Sequence, residues 1–578
     1  METTRSNSSV FVVPLLAIGL AACTSPGQTP ELSPPQLTPA VASVMPNNAC
    51  AEVISKFQWA NTQVTAAVQI ATAGMIMTSI AAPIPEHCQV TGKMNARVSP
   101  VDNKAYAIGF EMRLPQNWNG RFFYQANGGI DGSVVTATGN LLGGAPVSTA
   151  LHQGFAVISS DAGHPANYGP FFGLDPQARI DYGYSAVAVL TPMAKSLIQS
   201  VYGRPPDRSY LVGCSNGGRH ALVAASRLTN EYDGILAGNP GFNLPQAAVA
   251  QLYGAQQYAS IATKDAKDQL DISTAVTPTE WALLGASITA KCDALDGVKD
   301  GIVSNTSACQ AAFKIDQDVP TCSGARDGTC LNTAQKKVLG NIFSGAKNSK
   351  GEALYSDFPY DPGVAGSNYR FWEFTAAQNL DPGAVAFIFT TPPSTMAAFT
   401  SSTGLNYALT FNMDTDAPKI FATSATYPQA SMTFMTPVAN DLTALRTRGA
   451  KLMVFHGVAD AVFSSSDTQH WFNRLNQSHQ GKADRFARYF PIPGMNHCSA
   501  GPSTDQFDMV KPLVQWVEQG IAPDNIVATA RGKGANAINA ELPANWAPNR
   551  TRPICAYPKF ADYKGYGDIE LAGSFVCR

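Results

Sequence analysis

The sequence predicts an α/β fold in which a mainly parallel sheet is interrupted by one large insertion. Strand and helix signals alternate from about residue 47 to 240, and the alternation returns from about 450 to 578. This alternation is typical of parallel sheets. Between 241 and 449, Gly, Pro, Asn, Ser and Thr become frequent, and four cysteines cluster between 292 and 330. We therefore predict a core of 47–240 and 450–578 with an inserted lid of 241–449; the alternative is an independent second domain.

Short apolar runs bounded by turn residues predict the individual elements of the core. The predicted strands are 121–124, 155–159, 209–212, 451–455 and 485–492. The first of these strands ends in A-N-G-G at 126–129, and the third runs directly into G-C-S-N-G at 213–217. Apolar residues at helical spacing predict an amphipathic helix at 510–518.

Three separated residues predict a nucleophilic site. Ser215 lies in a G-x-S-x-G motif between a strand and a helical pattern, which is the context of a nucleophile elbow. Asp460 follows the strand at 451–455, and His497 follows the strand at 485–492. The order Ser, Asp, His is that of α/β-hydrolases, so we predict an α/β-hydrolase core with these three as catalytic residues.

Two alternatives concern this triad. Asp460 could instead be a turn aspartate that caps the next helix. His456 lies at the end of the same strand as Asp460 and is the rival base, although its position favours a packed, hydrogen-bonded histidine.

An oxyanion hole needs two preorganised N–H donors. The backbone of Asn216, directly after the nucleophile, should supply one of them. Gly129 is the best second donor, because a glycine turn after an early strand can aim its amide at the site, and Gly128 is the alternative. A flexible turn without this role is the remaining possibility.

The cysteines predict a covalent connection between the serine and the histidine. Cys214 directly precedes Ser215, and Cys498 directly follows His497. A bond between them would hold their Cα atoms about 5.5 Å apart across about 280 residues of chain. Without Cys23 the eleven cysteines leave ten, an even number that is consistent with disulfides. The sequence has no C-x-x-C pair, which argues against a zinc ribbon or a thioredoxin-type redox site. Proximity in sequence favours Cys292–Cys309, Cys322–Cys330 and Cys555–Cys577, although spacing alone does not fix connectivity.

A second dense motif, D-A-L-D-G-V-K-D-G-I at 293–302, predicts a metal loop. Asp293, Asp296 and Asp300 could join backbone carbonyls in a cage of oxygen atoms suited to calcium. The flanking Cys292 and Cys309 would brace this loop. A solvated acidic turn is the alternative.

The N-terminus predicts export. Residues 1–23 resemble a lipoprotein signal, with a short apolar run and L-A-A-C ending at Cys23; an ordinary cleaved signal is the alternative. Residues 24–46 are rich in Pro, Ser and Thr and should form an extended tether. The formal net charge of -2 without a basic run argues against nucleic acid. We expect a secreted or periplasmic protein or an outer-membrane lipoprotein, attached to the membrane only through the N-terminal lipid.

Taken together, these motifs resemble the tannase and feruloyl esterase family from about Cys50 to Cys577. The matching stretches are W-N-G-R-F-F at 118–123, F-G-L-D-P-Q-A-R at 172–179, residues 292–302, P-G-M-N-H-C at 493–498 and Y-K-G at 563–565. The resemblance implies a serine carboxylic ester hydrolase with a large lid and a lid calcium ion. Its triad would be Ser215, Asp460 and His497, with Gly129 and Asn216 as oxyanion donors.

The resemblance also implies further residue roles. Calcium would be bound by Asp293, Asp296, Asp300 and the carbonyls of Val298 and Ile302. Phe463 matches an aromatic residue that packs on the substrate ring, and we place Gly128 in the substrate pocket as well. The implied disulfides are Cys50–Cys88, Cys214–Cys498, Cys292–Cys309, Cys322–Cys330 and Cys555–Cys577.

The expected substrate is a small aromatic ester, processed through an acyl-enzyme by a monomer. Terephthalate monoesters are favoured, and feruloyl or galloyl esters are the alternative. Family members of the terephthalate type carry a lid arginine for the substrate carboxylate, whereas residues 376–392 here contain none. Asn216 also replaces an acidic residue of those members. A non-catalytic binding protein and a lipase or peptidase are the remaining hypotheses.

Overall fold

The computed structural model describes residues 39–72, 80, 82–141, 143–396, 399, 404–438 and 441–578. The predicted signal segment 1–23, including Cys23, and the tether up to residue 38 lie outside the described residues. The end of the predicted tether is attached to the core: Ser43–Val44 pairs with Asn117–Trp118, and the Val41 N–H donates to the Asp207 carboxylate.

A nine-stranded sheet forms the centre of the fold. In chain order its strands are β1 Thr62–Ile70, β2 His87–Val98, β3 Ala105–Pro115, β4 Arg121–Ala126, β5 Ala156–Ser160, β6 Arg208–Cys214, β7 Gly234–Gly238, β8 Lys451–Gly457 and β9 Ala487–Ile492. Their spatial order is β9-β8-β7-β6-β4-β5-β3-β2-β1. The strands from β9 to β5 are parallel, and β3, β2 and β1 extend the sheet as antiparallel strands.

The parallel strands form where the sequence has short apolar runs. Every residue of β5 and β7 is buried, as expected for a sheet covered on both faces. The predicted strands at 121–124, 155–159, 209–212, 451–455 and 485–492 correspond to β4, β5, β6, β8 and β9. The last begins two residues late, because Ala483–Arg485 forms a 3-10 turn. The strand β7 and the antiparallel strands β1–β3 are not among the predicted elements.

Helices flank the sheet and make up much of the insertion between β7 and β8. The longer ones are Ala49–Lys56, Ala186–Tyr202, Asn216–Arg227, Leu244–Ala259, Pro278–Cys292, Thr306–Ala312, Thr333–Phe343, Gly404–Thr410, Ser465–Ser478 and Val510–Gln519. The α/β-hydrolase architecture predicted from the sequence is thus confirmed. Among the described residues, no helix combines the length and the apolar character that crossing a bilayer requires.

A buried carboxyl group in the insertion predicts a pH dependence of stability. Asp381 lies at the start of a short helix, Asp381–Ala384, and its Oδ2 has no hydrogen-bond partner among the described residues. Burial raises the pKa of Asp381 to about 8. In the unfolded chain an Asp carboxyl group releases its proton at about pH 4, so the stabilising effect of the buried, protonated group is greatest below that pH. It is lost as the pH rises towards the folded pKa of about 8.

We therefore expect the Tm of Asp381→Asn to fall less than that of the wild type between pH 5 and pH 9, as followed by circular dichroism. Asp268→Asn is the matched control, since the Asp268 side chain is 84% exposed. Parallel curves for wild type and Asp381→Asn would contradict the prediction.

Candidate active site

The carboxyl edge of the parallel strands carries the predicted catalytic residues. Ser215 directly follows β6, Asp460 follows β8 and His497 follows β9. Gly128 and Gly129 follow β4, which is the neighbour of β6. Because parallel strands end at the same edge, residues scattered along the chain lie together at that edge.

Ser215 lies at a sharp turn between β6 and the helix Asn216–Arg227, which we call the elbow helix. Its backbone has φ 64° and ψ -128°, which is strained for a residue other than glycine. Glycines permit this turn: a Cβ on Gly217 would lie 2.3 Å from the Ala126 carbonyl oxygen. The Ser215 N–H donates to the Gly238 carbonyl at 3.0 Å, which ties the turn to β7. The result is a nucleophile elbow that presents the hydroxyl at the sheet edge.

A continuous hydrogen-bonded series connects the three side chains. The Ser215 Oγ lies 2.8 Å from His497 Nε2, and His497 Nδ1 lies 2.8 Å from Asp460 Oδ2. Since a carboxylate only accepts, His497 carries its proton on Nδ1 and leaves Nε2 free to accept from the serine. This is the arrangement in which an imidazole can act as a general base towards an alcohol.

Asp460 is held as a buried carboxylate. Its Oδ1 accepts from the N–H groups of Val462 and Phe463, both at 3.0 Å, and its Oδ2 accepts from Asn239 Nδ2 at 2.7 Å. Burial by itself would raise the pKa of Asp460, but His497 and His456 hold this pKa well below its usual range. Asp460 therefore stays ionised next to the imidazole.

The rival base, His456, takes another position. It is fully buried, and its Nδ1 lies 2.9 Å from the Thr468 hydroxyl. Its Nε2 lies 2.9 Å from the Phe463 carbonyl and 3.2 Å from Asp460 Oδ2. Both ring nitrogens thus contact groups other than the serine, and His456 is a second histidine partner of the Asp460 carboxylate.

A disulfide joins the serine turn to the histidine loop. The Cys214–Cys498 bond has a Cα–Cα distance of 6.2 Å and spans a sequence separation of 284 residues. The other four disulfides are the pairs implied by the family resemblance: Cys50–Cys88, Cys292–Cys309, Cys322–Cys330 and Cys555–Cys577.

The two expected oxyanion donors flank the serine. Asn216 is the first residue of the elbow helix, where helix geometry leaves the N–H without an intrahelical partner. Gly129 has φ 63°, and a Cβ built on it would meet nothing within 4 Å, so its backbone borders open space. Gly128 is closer to the serine, since a Cβ there would lie 3.7 Å from the Ser215 Cβ. Gly128 therefore lies beside the nucleophile, and Gly129 is the next residue of the same turn.

Two aromatic rings enclose His497. The Phe463 ring packs edge-on against the imidazole at 5.3 Å between centroids, and the Trp372 ring does so at 4.7 Å. Phe463 is among the residues expected from the sequence, whereas Trp372, which belongs to the insertion, is not. The aromatic run Y-R-F-W-E-F at 369–374 was the available signal, but nothing in it indicates which ring turns towards the histidine.

The predicted calcium loop brings three carboxylates into a buried environment. Asp293, Asp296 and Asp300 are at most 8% exposed, and Asp296 Oδ1 has no hydrogen-bond partner among the described residues. Asp300 forms an ion pair with Arg552. In the described part of the chain, no three Asp, Glu, His or Cys side chains converge closely enough to hold a metal by themselves. A cation here would therefore need carbonyl oxygens in addition to carboxylates.

The fold and this hydrogen-bonded series define a serine hydrolase of the α/β-hydrolase class. Residues 88–578 match the profile of the family described as tannase and feruloyl esterase. The chain belongs to the tannase and feruloyl esterase family, and it is a carboxylic ester hydrolase.

Individual relatives agree with this assignment. The chain is 39% identical to a mono(2-hydroxyethyl) terephthalate hydrolase from Piscinibacter sakaiensis over 86% of both chains. It is 26% identical to a probable feruloyl esterase B-2 from Aspergillus fumigatus, covering 82% of this chain and 84% of that one.

Two solved structures share the fold. Feruloyl esterase B from Aspergillus oryzae has a TM-score of 0.71 at 24% identity, covering 92% of this chain and 99% of that one. A tannin acyl hydrolase from Aspergillus niger has a TM-score of 0.64 at 19% identity, covering 93% and 96%.

Proposed function

We propose that the protein hydrolyses small aromatic esters through an acyl-enzyme on Ser215. The observation that carries this proposal is the series from Ser215 Oγ through His497 to Asp460, with both contacts at 2.8 Å. In the first half-reaction His497 Nε2 takes the serine proton while Oγ attacks the ester carbonyl carbon. The tetrahedral oxyanion accepts hydrogen bonds from the N–H groups of Asn216 and Gly129, and the alcohol leaves with the proton from His497. In the second half-reaction water attacks the acyl carbonyl carbon while His497 takes its proton. The acid is released as Ser215 Oγ regains the proton.

The aromatic character of the substrate is supported by the rings around His497. Phe463 comes from the core and Trp372 from the insertion, so an acyl group at the carbonyl site would lie near two aromatic faces. Aromatic pairs contribute about 0.5–1.5 kcal/mol beyond simple burial, which favours a flat aryl group over an alkyl chain. We place Phe463 and Gly128 in the substrate pocket, and we add Trp372.

Terephthalate monoesters are the substrates that we favour. The 39% identity to a mono(2-hydroxyethyl) terephthalate hydrolase supports this choice. One observation favours feruloyl or galloyl esters instead: residues 376–392 offer no arginine for a second carboxylate. Arg370 does not replace it, because its guanidinium donates to the carbonyls of Ala365 and Gly366 and borders a cavity next to the calcium loop.

A substrate panel separates these two possibilities. Wild type and Ser215→Ala are compared on the hydroxyethyl terephthalate half-ester, methyl ferulate and methyl gallate, with products identified by chromatography. Preference for the half-ester supports the terephthalate assignment, whereas preference for ferulate or gallate supports the alternative. Hydrolysis of only long-chain p-nitrophenyl esters would contradict both and would indicate a lipase.

Trp372 should contribute to the preference for aromatic esters. We expect Trp372→Ala to lower kcat/KM for aryl esters by about tenfold, the upper end of an aromatic contact. The effect on p-nitrophenyl acetate should be smaller, because its acyl group has no ring. Trp372→Phe keeps a ring and serves as the control. An equal loss on both kinds of ester would assign Trp372 to the support of His497 alone.

We also propose that the loop at 293–302 binds calcium. Asp293, Asp296 and Asp300 are buried, and Asp300 is ion-paired with Arg552. Within the described ranges Asp296 Oδ1 has no hydrogen-bond partner, so a further cation would offset the remaining charge. Asp293, Asp296 and Asp300 would hold it with the carbonyls of Val298 and Ile302, and it would stabilise the insertion.

Chelation tests the calcium proposal. We expect EGTA to lower the Tm of the wild type and added calcium to restore it, because a ligand that binds only the folded state stabilises that state. Asp296→Asn should reduce the shift, whereas the exposed control Asp268→Asn should retain it. A wild-type Tm that does not respond to EGTA would contradict the proposal.

For localisation we propose export as a monomeric lipoprotein acylated at Cys23. The support is the L-A-A-C sequence after a short apolar run and the set of disulfides, which persist in oxidising compartments. Metabolic labelling with a fatty acid should mark the wild type and not Cys23→Ser. Light scattering of the purified protein tests the monomer.

A further inference from the structure

The two oxyanion donors come from different parts of the chain, and one side chain connects them. Asp131 follows the glycine turn that carries Gly129, and its carboxylate is 2% exposed. Its Oδ2 accepts from Asn216 Nδ2 at 2.7 Å. Asn216 is the residue whose backbone N–H is the other donor. The catalytic series described above uses no atom of Asp131.

The backbone of Asp131 orients the Gly129 amide. The Asp131 N–H donates to the Gly128 carbonyl at 3.2 Å. The Gly128 carbonyl and the Gly129 N–H belong to the same planar trans peptide and point in opposite directions. A bond that draws the carbonyl towards Asp131 therefore turns the Gly129 N–H away from Asp131.

The neighbouring carbonyls of this turn are held as well. The Tyr182 hydroxyl donates to the Gly129 carbonyl at 3.3 Å, and His164 Nε2 donates to the Ile130 carbonyl at 2.8 Å. Burial lowers the pKa of His164 to about 4, so this ring is neutral at pH 7. The glycine turn thus has a defined peptide orientation in spite of its composition.

The side chain of Asp131 closes a buried ring of hydrogen bonds. Asn216 Oδ1 accepts from Arg219 Nε at 2.6 Å, and Arg219 Nη2 donates to the Tyr182 carbonyl at 2.8 Å. Tyr182 in turn holds the Gly129 carbonyl. The amide of Asn216 has only one orientation that fits, since a carboxylate accepts and a guanidinium donates.

His220 completes the surroundings of Asp131. Its Nε2 lies 3.0 Å from both Asp131 Oδ2 and Arg219 Nη2, and its Nδ1 lies 3.3 Å from the same Nη2. Since a carboxylate only accepts, the contact to Asp131 places the proton of the neutral ring on Nε2. Burial lowers the pKa of His220, which keeps the ring neutral. The Asp131 carboxylate therefore has two fixed donors, both on the elbow helix.

From this geometry we propose that Asp131 is a positioning residue that sets the two halves of the oxyanion hole, at Gly129 and at Asn216, in register with each other. The inference rests on the proposed acyl-enzyme function. Asp131 touches neither substrate nor nucleophile; it acts through the two backbone amides that receive the oxyanion. Asp131→Ala keeps the backbone N–H that orients the Gly129 peptide and removes only the side-chain bonds to Asn216 and His220. The two halves then lose their connection, so transition-state binding should weaken while substrate binding stays nearly intact.

The test compares Asp131→Ala, Asp131→Asn, Asn216→Asp and the double variant Asp131→Asn with Asn216→Asp. The readouts are kcat, KM, Tm and the inhibition constant of phenylboronic acid. This inhibitor forms a bond from Ser215 Oγ to boron and places a boron-bound oxygen in the oxyanion hole. Asp268→Ala is the matched control, because Asp268 has φ 59°, close to the φ 57° of Asp131, and is exposed.

For Asp131→Ala we expect kcat to fall about tenfold to a hundredfold, less than or equal to the loss of a whole oxyanion donor, with KM almost unchanged. The inhibition constant of phenylboronic acid should rise by a similar factor. Asp131→Asn should retain most of the activity, since its Oδ1 can accept the same two bonds. Asn216→Asp places a second carboxylate against that of Asp131 and should lower the activity. Adding Asp131→Asn should restore it, because the amide at 131 can then donate to the carboxylate at 216.

Two results would overturn the inference: an Asp131→Ala enzyme whose kcat and boronate affinity equal those of Asp268→Ala, or no recovery in the double variant. The double variant keeps the test decisive if Asp131→Ala does not fold. Failure of the proposed function has a different signature, which is retained activity in Ser215→Ala.

Discussion

Ser215→Ala is expected to lower kcat for aromatic esters by a factor on the order of 10⁶, close to the loss of the whole triad in a serine hydrolase. The reason is that the Ser215 hydroxyl is the group that forms the acyl-enzyme. It lies 2.8 Å from His497, and the hydrogen-bonded series contains no other nucleophile. Residual hydrolysis would come from the oxyanion donors and from substrate binding alone. Stopped-flow measurement with a p-nitrophenyl ester should show the burst of the wild type and no burst in the variant.

The fold should survive this substitution. Only the Oγ atom is removed, and the backbone at φ 64° is held by the Gly238 carbonyl and the elbow helix. The Tm of Ser215→Ala should equal that of the wild type or exceed it slightly, as strained active sites trade stability for function. Ser200→Ala, at a helix surface, is the matched control and should keep full activity. A well-folded Ser215→Ala enzyme with wild-type kcat would refute the mechanism.

Removing the Cys214–Cys498 disulfide should have the second large effect. We expect the double variant Cys214→Ala with Cys498→Ala to lose about 2–5 kcal/mol of stability, towards the upper end because the closed loop is long. Activity should fall further than stability predicts, since a displacement of about 1 Å between nucleophile and base can cost about a hundredfold in rate. Tm and kcat, measured at a temperature where the variant is folded, separate the two effects.

The disulfide Cys322–Cys330 offers a matched control within the same protein. Its sequence separation is 8 residues, against 284 for Cys214–Cys498, and it joins two parts of the insertion. The variant without Cys322 and Cys330 should therefore keep kcat and lose less stability. If both double variants kept wild-type kcat, the Cys214–Cys498 bond would serve the stability of the fold and not the alignment of Ser215 with His497.

Local sequence patterns predicted the elements and residues that depend on short-range chemistry. The elbow was recognisable because its small residues, its strand and its helix are contiguous in the chain. The buried strands β4 to β6 were recognisable as short apolar runs. In contrast, β7 was missed, because G-I-L-A-G at 234–238 is short and begins and ends with glycine.

Features that depend on packing between distant segments had no comparable signal. Trp372 is one of several aromatic residues in the insertion, and only its packing places it 4.7 Å from the His497 ring. Asp131 appears in the sequence as one more polar residue after a glycine turn. Its role depends on the elbow helix, about 85 residues further along, lying beside that turn. Side-chain periodicity describes a single element and carries no information on which elements meet.

The amino-acid sequence by itself determined the order of nucleophile, acid and base, the small residues that a strained turn requires, and the two cysteines next to the reacting groups. The tertiary structure decided between His456 and His497, because both follow or end a strand at the same sheet edge and only their surroundings differ. His456 is fully buried with both nitrogens engaged, whereas His497 reaches Ser215 Oγ at 2.8 Å. The physical reason is that catalysis depends on distances of a few tenths of an ångström, and such distances arise only when separate strands and loops pack against one another.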